Sequence, residues 1–120
     1  VTTFLCSVPI IPARDVIAST AWYRDALGYE VHRSQADYGI VGREGSWIHL
    51  YGPSGIAPES SDTMIRVGVD GIDDLYTACV AKGIVHPNAP LQERPWGLRE
   101  FAVLDLDGNL VTFFEADAGA

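Results

Sequence analysis

Basic residues are scarce in this sequence: 8 Lys and Arg stand against 16 Asp and Glu, a formal charge of −8. That balance opposes binding to nucleic acid and to anionic membranes, and it favours a cationic partner or simply solubility. Cysteine is nearly absent too. Cys6 and Cys79 form no CxxC or Cys/His spacing, so no zinc site is implied, and both read as buried thiols. No apolar run approaches the roughly 20 residues of a membrane span, and the N-terminus lacks a basic region followed by an apolar run. A cytoplasmic location is the default expectation. Catalytic signatures are missing as well: there is no Gly-x-Ser-x-Gly elbow or Gly-rich phosphate loop, and His32, His49 and His86 show no triad spacing.

What is present suits one small domain. The 120 residues are 48% hydrophobic, enough apolar material for a core. Thr3 to Ile11 reads as a strand that Pro12 closes. A helix follows, with Asp15 as N-cap, a mostly apolar face of Val16, Ser19, Trp22, Tyr23, Ala26 and Leu27, and Gly28 as its stop. Three strands come next, near Glu30 to Arg33, Tyr38 to Arg43 and Trp47 to Tyr51, the last two joined by a turn at Glu44-Gly45. Gly52 to Asp62, rich in Pro, Gly and Ser, is a linker.

The order then begins again. Met64 to Val69 reads as a strand, Asp73 to Lys82 as a helix stopped by Gly83, and Ile84 to Val85 as a short strand before a loop from Pro87 to Pro95. Arg99 to Leu104 and Leu110 to Glu115 form a closing hairpin across Asp105-Leu106-Asp107-Gly108-Asn109. Overlaying the hairpin glycines gives 108 − 45 = 63 and pairs Tyr38 with Phe101, Ile40 with Val103 and Leu50 with Phe113. Overlaying the helix-stop glycines gives 83 − 28 = 55, placing Asp15 on Asp70 and Pro9 on Met64. Apolar matches apolar in the hairpins, which supports an internal duplication. The fold class expected is α+β: two tandem βαβββ modules, about 1–52 and 63–116, with curved mixed sheets. One module alone leaves a sheet face open, so two must pair, within a chain or between chains.

Three stretches carry a family resemblance: Val8-Pro9-Ile10-Ile11-Pro12-Ala13-Arg14-Asp15-Val16, Trp22-Tyr23-Arg24-Asp25-Ala26-Leu27-Gly28-Tyr29, and Pro95-Trp96-Gly97-Leu98-Arg99-Glu100-Phe101 running into Asp105 to Asn109. On these the chain resembles the bleomycin-resistance branch of the glyoxalase, or vicinal-oxygen-chelate, superfamily. The resemblance implies the paired βαβββ fold and places metal ligands of the superfamily's enzymes on the first and last strand of each module. Here those positions hold Val8 or Pro9, His49, Met64 and Thr112. Only His49 is a usual ligand, whereas a catalytic divalent metal wants about three. The expectation is therefore a protein that is not an enzyme and carries no metal or other cofactor.

By the same resemblance Trp96 and an aromatic at the Tyr38 position stack on the planar part of a drug, a task suited to flat aromatic faces. Trp47 and Tyr51 share strand parity with His49, so the three face the same way; Met64 and Arg66 share parity in the second module. Arg99 and Glu100 alternate, so at most one enters a cleft. Trp22 and Tyr23 are assigned to the core by their helical spacing. The candidate ligand-binding set is Tyr38, Trp47, His49, Tyr51, Met64, Arg66, Trp96, Arg99, Phe101 and Thr112, with Asp37 and Glu93 contributing to a negative field. The expected partner is a cationic, planar, bleomycin-like antibiotic, held by a homodimer with clefts between paired modules and no contact with nucleic acid or membrane. The alternatives are a metal-dependent lyase, isomerase or thiol transferase of the same superfamily, with Glu115 as a possible extra ligand, and a binder of another planar metabolite.

Overall fold

The computed structural model describes residues 1–116. Its elements are β1 (Ile10–Pro12), α1 (Val16–Leu27), β2 (Glu30–Ser34), β3 (Tyr38–Arg43), β4 (Ser46–Tyr51), a 3-10 turn (Pro58–Ser60), β5 (Met64–Gly68), α2 (Ile72–Ala81), β6 (Gln92–Arg94), β7 (Leu98–Leu104) and β8 (Leu110–Ala116). Asp15 caps α1, its carboxylate accepting from the Ala18 N–H, and Gly28 ends it at φ 71°, in the left-handed region glycine tolerates. Each half of the chain supplies one four-stranded sheet, ordered β1-β4-β3-β2 and β5-β8-β7-β6. In both, the first strand runs parallel to the last and the others are antiparallel. The βαβββ repeat is therefore a repeat of topology as well as of sequence.

Strand alternation divides each sheet into a face under its helix and an open face. In β4, Ile48 and Leu50 are buried while Trp47, His49 and Tyr51 point the other way; in β8, Val111 and Phe113 are buried while Thr112 and Phe114 lie half-exposed on the far side. The core consists of the helix-side residues: Ile11, Val16, Tyr23, Leu27, Val41, Ile48 and Leu50 in the first half, and Ile65, Ile72, Cys79, Phe101, Val103, Val111 and Phe113 in the second. Trp22 packs against it.

The halves are locked by a buried polar network. The Asp105-to-Asn109 turn reaches into the first half, where Asp105 accepts from the Tyr23 hydroxyl (2.7 Å) and Asp107 from the Ser19 hydroxyl and the Arg14 N–H. The Asn109 amide donates both to the Pro12 carbonyl and to Asp105, each at 3.0 Å. Cations serve the C-terminal end of α1: Lys82 donates to the carbonyls of Asp25 and Ala26, and Arg43 to that of Leu27. These are the acceptors a helix end leaves unpaired, at its negative pole.

Several sequence expectations are corrected. The strand expected over Thr3 to Ile11 shrinks to Ile10–Pro12: pairing with β4 starts where the His49 N–H donates to the Pro9 carbonyl, and Phe4 and Leu5 are 95% and 89% exposed. Cys6 lies on that arm and is exposed, while Cys79 is buried. The helix α2 starts one residue earlier than expected, with Gly71 rather than Asp70 at its N-cap. The halves therefore overlay by 72 − 16 = 56, which places Tyr23 on Cys79 and Val8, not Pro9, on Met64. The error came from equating two stops: α2 has 10 residues against 12 in α1, and Lys82 stands between α2 and Gly83, so the stops are offset by one residue less than the starts. Ile84 to Val85 forms only a bridge from Val85 to Val103, and the fourth strand is Gln92–Arg94, inside the expected loop.

Candidate functional site

On the first sheet's open face, the register sets Ile10, His49 and Ile40 in one row and Tyr51 beside Tyr38 in the next. The Tyr38 hydroxyl meets His49 Nδ1 at 2.7 Å with the rings edge to face. With Tyr38 donating, the neutral imidazole carries its proton on Nε2, a donor free for a ligand. Trp47 lies over Gly42 and beside His32, ring centroids 4.8 Å apart. A Cβ at position 42 would sit 2.8 Å from the Trp47 ring, so the flat seat of this indole depends on glycine. Tyr51 is 47% exposed and Trp47 39%, which leaves two aromatic surfaces open to a planar group.

The second sheet's open face is built differently. Met64, Arg66, Thr112 and Phe114 share it with Glu100 and Arg94. The Glu100 carboxylate is buried between two guanidiniums, accepting from Arg66 Nη2 at 2.9 Å and from Arg94 Nε at 3.0 Å. Burial pushes its pKa up, but the hydrogen bonds and charges of Arg66 and Arg94 outweigh it and hold the group below the usual carboxylate range. Arg66 also lies over the Phe114 ring at 4.9 Å and Arg94 near the Trp96 ring at 5.8 Å. Trp96, 63% exposed, stands in the β6–β7 turn, which Gly97 permits at φ 81°.

Of the ten candidate residues, four lie on the first open face (Tyr38, Trp47, His49, Tyr51), three on the second (Met64, Arg66, Thr112), and Trp96 at the rim of the second. Two are corrected. Phe101 is 1% exposed beneath α2, its ring 5.0 Å from Tyr76, and Arg99 shares that face, pairing with Asp73 of α2 at 2.7 and 3.0 Å. Parity, which turns Phe101 and Arg99 inward, turns Glu100 outward. Glu93 opposes Arg99 in the β6–β7 register and so also leaves the open face, while Asp37 is exposed between β2 and β3. Residues of the open faces absent from the candidate set include Ile10, Ile40, Arg94, Glu100 and Phe114. For Arg94 the missing signal was β6 itself, three residues long inside a Pro-bounded loop.

The four positions that carry metal ligands in the superfamily's enzymes hold Val8, His49, Met64 and Thr112, and the cross-strand partners of His49 and Thr112 are Ile10 and Arg66. One imidazole with two apolar side chains and a hydroxyl does not supply the ligands of a divalent cation, and Ile10 and Arg66 add none, so the residues do not fit the metal of the superfamily's enzymes. Among the described residues no group of three His, Cys, Asp or Glu side chains is placed to hold a metal ion. Glu115 instead accepts from the Gly71 N–H at 2.6 Å, at the start of α2. Among the described residues no helix is long and apolar enough to cross a membrane.

Residues 6–113 match the Glyoxalase/Bleomycin resistance protein/Dioxygenase superfamily. Bleomycin resistance proteins of Geobacillus stearothermophilus and Staphylococcus aureus are each 32% identical to this chain, covering 92% of it and 96% of their own length. A bleomycin-binding protein of Streptomyces verticillus, solved with copper(II)-bleomycin, is 29% identical, with a TM-score of 0.80 over 98% of this chain and 99% of its own. The bleomycin resistance determinant of transposon Tn5 shares the fold at a TM-score of 0.82 and 22% identity, over 96% of this chain and 100% of its own. This chain is a member of the glyoxalase/bleomycin resistance protein/dioxygenase superfamily, on its bleomycin-resistance branch.

Proposed function

We propose that this protein binds a bleomycin-type glycopeptide stoichiometrically and holds it away from its target, with no covalent step. The observation that carries the reading is the pair of open sheet faces, furnished with Tyr38, Trp47, His49, Tyr51 and Trp96 where the superfamily's enzymes need a metal-ligand set. Planar heteroaromatic rings gain about 0.5–1.5 kcal/mol per stacked aromatic beyond area burial. The 32% identity to bleomycin resistance proteins over nearly the whole chain supports the same ligand.

The binding unit in this reading is a homodimer, its clefts formed by one protomer's first sheet facing its partner's second. Support comes from the exposed arm bearing Val1, Phe4, Leu5 and Val8 and from the two open faces, apolar surface of a kind that monomers seldom leave uncovered. A cleft of about 720 Å³ also opens between the β3–β4 turn and the β5/α2 edge, where Ile65, Val67 and Phe113 line it and Ser7 and Pro9 stand at its mouth.

The test is a titration of purified protein with metal-free and with copper-loaded bleomycin, followed by tryptophan fluorescence and calorimetry. One glycopeptide per chain, released chemically unchanged, is expected. Absence of binding at micromolar drug overturns the named ligand. A tightly held divalent ion in the purified protein, one per site, overturns the non-catalytic reading.

A further inference from the structure

The open face of the second sheet carries one carboxylate and two guanidiniums, in a chain whose formal charge is −8. Glu100 is neutralised twice over, so the cluster Arg66–Glu100–Arg94 keeps one net positive charge. Among the described residues Arg66 spends one N–H on Glu100, through Nη2, and Arg94 spends its Nε–H. The remaining donors of both forks have no protein acceptor there. Half of the Arg66 side chain and a third of that of Arg94 are exposed, so both guanidiniums are open to solvent on that face. The guanidiniums are also held in place: the shared carboxylate fixes one edge of each, and the Phe114 and Trp96 rings lie alongside. A fixed guanidinium with free N–H groups matches the geometry of a carboxylate, and pre-organisation lowers the entropy lost on binding it.

Resting on the binding function proposed above, we infer that Arg66 and Arg94 form a subsite for an anionic group, a carboxylate on a planar aromatic ligand, with Glu100 as the residue that positions both. The site therefore selects an acid where the overall charge of the protein favours a cation. The global field acts on the ligand's approach, and the two arginines act on its seated end. Thr112, beside Arg66 in the β5–β8 register, adds a hydroxyl at the same place.

The experiment compares bleomycin A2, which ends in a cationic tail, with bleomycinic acid, the same glycopeptide with that tail removed to leave a free carboxylate. Calorimetry on the full chain should give tighter binding of the acid by about fivefold or more, the scale of a charge-assisted hydrogen bond. The Arg66→Gln variant should abolish that preference, the two glycopeptides then binding within about twofold of each other. Tighter binding of the cationic parent, or a preference that survives in Arg66→Gln, overturns the subsite. A second pair keeps the inference separable from the glycopeptide reading: bithiazole carboxylic acid and its neutral amide, followed through the Arg Nε–Hε resonances. The acid should shift the signals of Arg66 and Arg94 and the amide should not. If both glycopeptides fail to bind while this pair behaves as expected, the bleomycin reading falls and the anion subsite stands; if neither fragment shifts those signals, the subsite falls. An unchanged urea midpoint for Arg66→Gln establishes that the variant is folded.

Discussion

Two tryptophans of this chain stand in opposite surroundings, one packed on the core and one exposed in a turn. Trp96 is 63% exposed in a turn, with the Arg94 guanidinium near its ring, so its replacement removes little packed surface. Trp22 packs on the core edge to face with Tyr23, ring centroids 5.1 Å apart. Trp96→Ala should leave stability within about 0.5 kcal/mol, as surface substitutions usually do. Its bleomycin affinity should fall by about two- to tenfold, the worth of one stacked ring. Trp22→Ala should lower the urea midpoint and leave affinity unchanged in the molecules that remain folded. The opposite order of effects on binding would remove Trp96 from the site. That Trp22 packs on the core and Trp96 stays exposed was legible in the sequence, because helical spacing marks a core residue and a Pro-Trp-Gly loop does not. For Phe101 and Glu100 only the parity along β7 was legible: either both Arg99 and Phe101 face the helix or both face away. The anchor itself, which face α2 covers, is a fact of packing.

Among the elements, α1 was readable at both ends because its cap and stop are local chemistry, Asp15 at the N-terminus and Gly28 at the C-terminus. The slip by one residue in α2 comes from a helix of 10 residues against 12 in α1, so that Gly28 and Gly83 do not mark the same structural place; β6 was hidden because the second half enters its hairpin by a longer, Pro-bounded excursion. The contact between the halves was least legible. Tyr23 and Asp105 are 82 residues apart, and Asn109 reaches Pro12 across 97. Periodicity reports which side of an element is apolar and says nothing of which distant turn will dock there. The network gives an alkaline prediction. Burial, joined by the adjacent Asp105 carboxylate, raises the pKa of Tyr23 well above 10.0, and burial raises that of Tyr29. Above pH 10.0 the unfolded chain releases these protons while the folded chain retains them, so the unfolded state binds fewer protons and stability falls as pH rises. Tyr23→Phe should cost about 1–3 kcal/mol at neutral pH, since Asp105 loses a buried donor. It should also make the decline of the urea midpoint above pH 10.0 shallower, because one of the two protons no longer counts. A decline as steep as that of the parent would place the alkaline sensitivity elsewhere.

The charge of the whole molecule and that of the Arg66–Glu100–Arg94 cluster have opposite signs, and the two act at different ranges. A formal −8 spread over the surface, doubled in the proposed dimer, sets a field that draws a cationic glycopeptide from solution. That field is screened over about 10 Å at 0.1 M salt. Contacts within the seated complex are screened much less, and stacking on Trp96 and Trp47 hardly at all. Added salt should therefore slow association and leave dissociation nearly unchanged. Stopped-flow fluorescence with bleomycin A2 should show an association rate that falls by about tenfold between low and high ionic strength, the lower end of electrostatic steering. Bleomycinic acid, which carries less positive charge, should show a weaker dependence on the same surface. A salt effect confined to the dissociation rate would mean that the acidic surface plays no part in capture and serves solubility alone, the other reading its composition allows.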